Sequence, residues 1–311
     1  MNILITGAGG FVGRNLSEHL APKFNVCAAT HADLELLDET AVERYIKENQ
    51  IDLIIHCAAV GGSRKTNYDA GRVDVVDKNL RMFFNLERCL TANMRMIHLG
   101  SGAEYDRLHW RPKMSEDYFD RHVPGDGYGY AKYVISKYIE RAENITCLRI
   151  FGLFGKYEDY RFRFISNAIV KNLLHMPIII NQNAVFDYLY IEDFVKIVEH
   201  FIRKKPAGKH YNVTPTESID LLTAAKIVNQ VGGFESEMRL LNEGMNVEYT
   251  GDNARLLSEL GGFKFTGYRE AIAALFKYYS QVLVALDIET IRKDPYLESC
   301  RVSTEQKQPS A

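Results

Sequence analysis

Asn2-Ile3-Leu4-Ile5-Thr6-Gly7-Ala8-Gly9-Gly10-Phe11-Val12-Gly13 joins an apolar run, a glycine turn and the opening of an amphipathic pattern. A strand that breaks into glycines and then a helix is the context a dinucleotide-binding turn requires. Gly7, Gly10 and Gly13 permit the tight turn, the close approach of backbone to a pyrophosphate and the close packing of helix on strand. Free N–H groups at the helix start then face the diphosphate, with Gly9, Phe11 and Val12 completing the turn.

Outward from this turn, apolar runs at Ile3–Thr6, Asn25–Thr30, Asp52–Cys57, Met96–Gly100 and Ile145–Ile150 alternate with helical patterns. The helical patterns lie at Phe11–Leu20, Glu39–Glu48, Val73–Ala92 and Tyr128–Ala142, with Asp38 a predicted N-cap. This rhythm predicts an α/β chain built on a doubly wound parallel sheet of the Rossmann type. After Phe151 the rhythm loosens: a helix is predicted over Arg163–Leu174, and Ser218 as the cap of a helical pattern reaching Val231. The expected division puts residues 1–160 in the nucleotide-binding domain, with a returning segment near 181–205. Residues 161–180 and 206–295 are expected to form a smaller α/β substrate-binding domain, and 296–311, polar and without period, a disordered tail.

Over 311 residues, 38 Lys and Arg face 40 Asp and Glu, for a formal net charge of -2. So even a balance predicts neither a nucleic-acid nor a membrane partner. The five cysteines are scattered, with no pair at metal-ligand spacing, so no metal is expected and the thiols are read as reduced. The first apolar run is too short for a signal-peptide core, and no window approaches the roughly 20 apolar residues of a membrane span. A cytoplasmic protein is the expectation.

The spacing Gly-x-x-Gly-x-x-Gly after Thr6 resembles the extended short-chain dehydrogenase/reductase family, of the NAD-dependent epimerase/dehydratase type. Further matches fall in order along the chain. His56-Cys57-Ala58-Ala59 resembles the apolar-Ala-Ala element that lies against the cofactor, and Leu99-Gly100-Ser101-Gly102-Ala103-Glu104-Tyr105 the strand end bearing the catalytic Ser or Thr. Tyr128-Gly129-Tyr130-Ala131-Lys132 matches the Tyr-x-x-x-Lys pair, and Asn79 the helix Asn that organises a proton path to the Lys. Residues four apart share a helical face, so Tyr128 and Lys132 can reach one substrate and one ribose. The Lys ammonium would lower the Tyr pKa, making it a proton donor or acceptor near neutral pH, while Ser101 fixes the substrate oxygen. Tyr133 and Lys137 have the same spacing, but Tyr128 and Lys132 stand at the helix start, where the family places its pair. Arg149 to Gly155 resembles the strand end whose backbone, at Ile150 and Phe151, approaches the nicotinamide, and Phe186 to Asp193 an element that begins a helix in the smaller domain. The resemblance covers most of the chain.

Departures from the family pattern narrow the chemistry. NAD enzymes present an acid at the end of the second strand; here that strand ends in Thr30 and His31. This favours NADP over NAD, with His31 where GDP-fucose synthases carry an Arg, and Glu35 and Leu36 at the adenine edge. Gly102 and Ala103 stand where 4,6-dehydratases have Asp and Glu, and Ala103 also where GDP-fucose synthases have a Cys, which argues against dehydration and double epimerisation. What survives is reduction of a 4-keto (6-deoxy) nucleotide sugar with Tyr128 as proton donor, or 4-epimerisation with tightly held NAD; a catalytically inactive cofactor-sensing regulator is the reading from another class. Gly152 replaces the family's Asn that touches the substrate diphosphate, and Phe186 replaces the family's Arg before Asp187. Arg161, Arg163 and Asn167 are near enough to supply those contacts, or else form a solvated helix face. The resemblance implies a homodimer through the helices at Val73–Ala92 and Tyr128–Ala142.

Overall fold

The computed structural model describes residues 1–62 and 74–305. In the first half β1 (Asn2–Thr6), α1 (Phe11–Leu20), β2 (Asn25–Ala29), α2 (Glu39–Glu48), β3 (Leu53–His56), α3 (Asp74–Glu87), β4 (Arg95–Ser101), α4 (Gly127–Ile139) and β5 (Ile145–Ile150) follow the predicted alternation. All four residues of β3 are buried, as expected of a strand covered on both faces. Asp38 caps α2 as predicted, accepting from the Ala41 N–H at 3.0 Å. Val73, at the predicted start of the third helix, lies outside the described residues.

The second half adds β6 (Gly152–Phe154), α5 (Phe164–Leu173), β7 (Ile178–Asn183), β8 (Val185–Phe186), β9 (Tyr188–Tyr190), α6 (Ile191–Arg203), β10 (His210–Val213), β11 (Ile219–Asp220), α7 (Leu221–Gly232) and β12 (Met238–Met245). It closes with α8 (Ala254–Leu260), α9 (Tyr268–Val282), α10 (Ile288–Arg292) and α11 (Pro295–Glu305). The main sheet is parallel, in the order β2-β1-β3-β4-β5-β10. One face is covered by α1 and α6, whose Leu16, Leu20, Phe194 and Val198 are buried against it. On the other face α2, α3 and α4 bury Val42, Ile46, Phe83, Leu86, Ile135 and Ile139. The strand order reverses between β1 and β3, so the crevice beyond their carboxyl ends is where such a sheet binds ligands. A separate core of α5, α7, α9 and β7 forms the smaller unit. No helix among the described residues is long and apolar enough to cross a membrane.

Three expectations are corrected. The stretch 206–295 does not lie wholly in the smaller unit: β10 is the sixth strand of the main sheet, paired with β5, and Leu256 of α8 packs into the same core. Asp220, not Ser218, caps α7, accepting from Thr223 N–H at 3.1 Å, while the Ser218 hydroxyl donates to Asp187. The predicted tail is a helix through Glu305, because Tyr296 (1% exposed) and Cys300 (0%) dock into the smaller core. Two apolar residues one turn apart suffice for that among polar neighbours; residues 306–311 lie outside the described part.

Candidate active site

The glycine turn closes on the reversal point of the sheet. Gly7 has φ +64°, and a Cβ there would stand 2.9 Å from the Ala58 Cα; one on Gly13 would stand 2.3 Å from the Gly7 carbonyl oxygen. Neither position tolerates a side chain without backbone movement. The Thr6 hydroxyl accepts from the N–H groups of Cys57 and Ala58, both at 3.2 Å, and so locks the two strand ends together. Gly10, the N-cap of α1, offers no side-chain cap, so the first-turn amides stay available, with Gly9 and Gly10 exposed above them. These features fit a dinucleotide phosphate. Around the turn, Phe11 and Val12 are partly buried against the sheet core, Ala59 is exposed, and burial pushes the Cys57 thiol up to about 12.

At the end of β2, His31 is 87% exposed and pairs with Glu35 at 3.3 Å. Asp33 accepts from both the N–H and the hydroxyl of Thr30, at 2.9 and 2.6 Å. Leu36 is buried, and its carbonyl accepts from Asn85 at 2.9 Å.

Ser101 ends β4 and caps the single turn Gly102–Tyr105 through a capping box: its Oγ accepts from Ala103 N–H at 3.1 Å, while Glu104 accepts from the Ser101 N–H at 2.9 Å. Glu104 has no exposure and also binds Ser136 Oγ at 2.5 Å and Arg149 Nε at 2.6 Å. Tyr128 enters on the first turn of α4, where Asp126 caps the helix at Gly129 N–H and pairs with Arg107 at 3.3 Å. Ser101 stands near enough to the Tyr128 phenol to favour its ionised form. Lys132, 3% exposed, donates to the Leu99 carbonyl at 2.7 Å and stands 3.5 Å from His98 Nε2. Burial keeps both imidazoles behind it neutral, His56 at about 3 and His98 well below its ordinary range, with the Lys132 charge adding to the effect.

The expected lowering of the Tyr128 pKa by Lys132 is not what the geometry produces. Burial raises it, opposed by the Ser101 hydrogen bond and then by the fields of Arg163 and Arg107. Lys132 aims its proton at Leu99, with Nζ 5.9 Å from the Tyr128 ring centroid, and is itself pulled down by burial. Asn79 holds the Val60 backbone at both ends, accepting at 3.1 Å and donating at 2.8 Å, and its other amide proton goes to Val75, so that it anchors the loop after β3. Tyr133 and Lys137 share the Asp120 carboxylate at the surface, away from Ser101.

Of the predicted substrate contacts, Arg163 is exposed at the start of α5 and its field reaches Tyr128. Asn167 is withdrawn, 2% exposed and donating to the Tyr160 carbonyl at 3.0 Å, and Arg161 is folded onto Asp159. Gly152 lies against Tyr188, and Ala103 is buried in the turn. Ile150 packs on the sheet core, and Phe151 joins a group of aromatic residues with Tyr105, Tyr118 and Tyr249. Two residues of this site escaped the sequence reading. Glu104 carried a signal, since Ser-x-x-Glu is a capping-box spacing. Tyr249, whose hydroxyl lies over Gly102, carried none.

Residues 3–214 match the model of the family described as the NAD dependent epimerase/dehydratase family. GDP-L-colitose synthase of Yersinia pseudotuberculosis is 25% identical over 267 residues, covering 75% of this chain and 84% of that protein. The crystal structure of UDP-glucose 4-epimerase from Thermotoga maritima, with UDP-glucose, has a TM-score of 0.79 at 19% identity, covering 91% of this chain and 100% of that one. GDP-mannoheptose C4 reductase from Campylobacter jejuni, with NADP bound, has a TM-score of 0.76 at 18% identity, covering 90% and 98%. These two structures share the fold.

Proposed function

Since the chain belongs to the NAD dependent epimerase/dehydratase family, we propose that it reduces the 4-keto group of a nucleotide-activated 6-deoxy sugar. The observation that carries this reading is what stands beside Ser101. Ser101 and Tyr128 converge above Lys132, while the neighbouring positions hold Gly102 and Ala103, neither of which can move a proton. A nicotinamide dinucleotide bound over the glycine turn supplies or accepts the hydride. Its phosphates would be held by the first-turn amides of α1, and its ribose by Tyr128 and Lys132. Ser101 holds the substrate oxygen, Tyr128 gives it a proton, and Lys132, one turn further along the same helix, steadies the phenol left behind. Arg163 is the exposed cation suited to the substrate's diphosphate.

NADP is favoured as the cofactor, because β2 runs out into Thr30 and the exposed His31 rather than into an acid, and the next carboxylate, Asp33, is turned back onto Thr30 through one of its oxygens. A 4-epimerase would use the same three residues, and the fold likeness to a UDP-glucose 4-epimerase keeps that second reading in view. Reduced cofactor carrying deuterium at its transferable position separates the two. A reductase leaves one deuterium at C4 of the sugar for each cofactor consumed; an epimerase leaves soluble cofactor unconsumed.

A further inference from the structure

Glu104 is fully buried, and its carboxylate is shared by three elements. Oε1 accepts from the Ser101 N–H at 2.9 Å, within the turn that ends β4. Oε2 accepts from Ser136 Oγ of α4 at 2.5 Å and from Arg149 Nε of β5 at 2.6 Å. Ser136 stands one turn beyond Lys132 and two beyond Tyr128, so a single side chain joins the turn that carries Ser101 to the helix that carries the other two groups. The fit is close: a Cβ on Gly100 would stand 2.5 Å from Glu104 Oε1, and one on Gly129 of α4 would stand 2.8 Å from the Ala103 carbonyl oxygen. Arg149, 1% exposed, is itself fixed, with its guanidinium carbon 4.2 Å from the Phe119 ring centroid and Nη1 donating to the Tyr105 hydroxyl at 3.3 Å. The same turn holds the Ser101 side chain, whose Oγ accepts from Ala103 N–H at 3.1 Å; one lone pair is thus occupied, and the hydroxyl keeps its proton for the substrate oxygen. Burying a carboxylate with a guanidinium adds little net stability over an apolar pair of similar size, because desolvation offsets the attraction. What it adds here is direction, with three donors fixed about one carboxylate.

We infer that Glu104 is a positioning residue for the reaction: its carboxylate ties the Ser101 turn to α4 and so sets where the Ser101 hydroxyl stands relative to Tyr128 and Lys132. This rests on the roles given above to those three residues.

Ser136→Ala removes the tie to α4 and leaves the capping box, the Arg149 pair and every group proposed to meet substrate or cofactor in place. It is preferred to Glu104→Gln, which would set an amide against the buried Arg149 and put the fold at risk. The direct readout needs no substrate: hydrogen exchange of the Ser101 amide, followed by NMR in isotope-labelled protein. Exchange is expected to be about tenfold faster in Ser136→Ala, with the amides of Ile97 and Leu99 in β4 changed by less than about twofold. With a sugar that turns over, kcat is expected to fall about tenfold while KM for sugar and cofactor stays within about twofold. On a Ser101→Ala background the same substitution should cost nothing further, because the turn no longer carries the hydroxyl. An unchanged Ser101 exchange rate, an unchanged kcat, or an equal loss without the Ser101 hydroxyl overturns the inference. Absence of wild-type turnover on every sugar counts against the proposed function instead, and the exchange rate still decides whether Glu104 couples the turn to α4.

Discussion

Tyr128→Phe removes one oxygen from the site and is expected to lower kcat by about 100-fold or more. Cofactor affinity, measured by fluorescence titration, should change far less, because the glycine turn and Lys132 are untouched; equal losses in both would contradict the assignment. A second residue-scale prediction concerns Glu158, 6% exposed, whose carboxyl is pushed up to about 7 by burial, against the opposing field of Arg163 and the Ser166 hydrogen bond. In the folded state it keeps a proton that the unfolded chain has already released. Its contribution to stability is therefore full below the ordinary carboxylate range and is lost as pH rises through about 7. Glu158→Gln should flatten the decline of Tm between about pH 5 and pH 8, and an unchanged slope would contradict this. Ser101, Tyr128 and Lys132 were legible in sequence because each is marked by a short local spacing. Tyr249 was not, since only the folding of the chain brings it over Gly102. Asn167 misled for a related reason: a polar side chain near an anion site reads as a ligand until its amide is seen on the Tyr160 carbonyl.

At the scale of elements, the βα rhythm of the first half was legible because each strand is an apolar run covered on both faces and each helix has a separate apolar stripe. β10 was harder to place: His210 to Val213 is a short run, and only its pairing with β5 assigns it to the main sheet. α11 was missed because two inward residues support it. That dependence gives a prediction: Tyr296→Ala, in the smaller core, should cost about 3–5 kcal/mol, read as a fall in Tm or in the denaturant midpoint. A loss below about 0.5 kcal/mol, typical of a surface site, would show that α11 does not dock.

Over the whole molecule, the sheet brings the glycine turn, the β3 end and the Ser101 turn to one edge, and the smaller unit closes over that edge with Tyr249 and Arg163. In the proposed function the sheet provides the groups that hold the cofactor and move the proton, and the smaller unit shapes what enters. The most direct test follows the near-ultraviolet absorbance of NADPH with a panel of nucleotide-linked 4-keto-6-deoxy sugars, wild type against Tyr128→Phe. The account predicts that one sugar brings stoichiometric loss of reduced cofactor with wild type and almost none with the variant. No loss with any sugar, or equal loss with the variant, would contradict it.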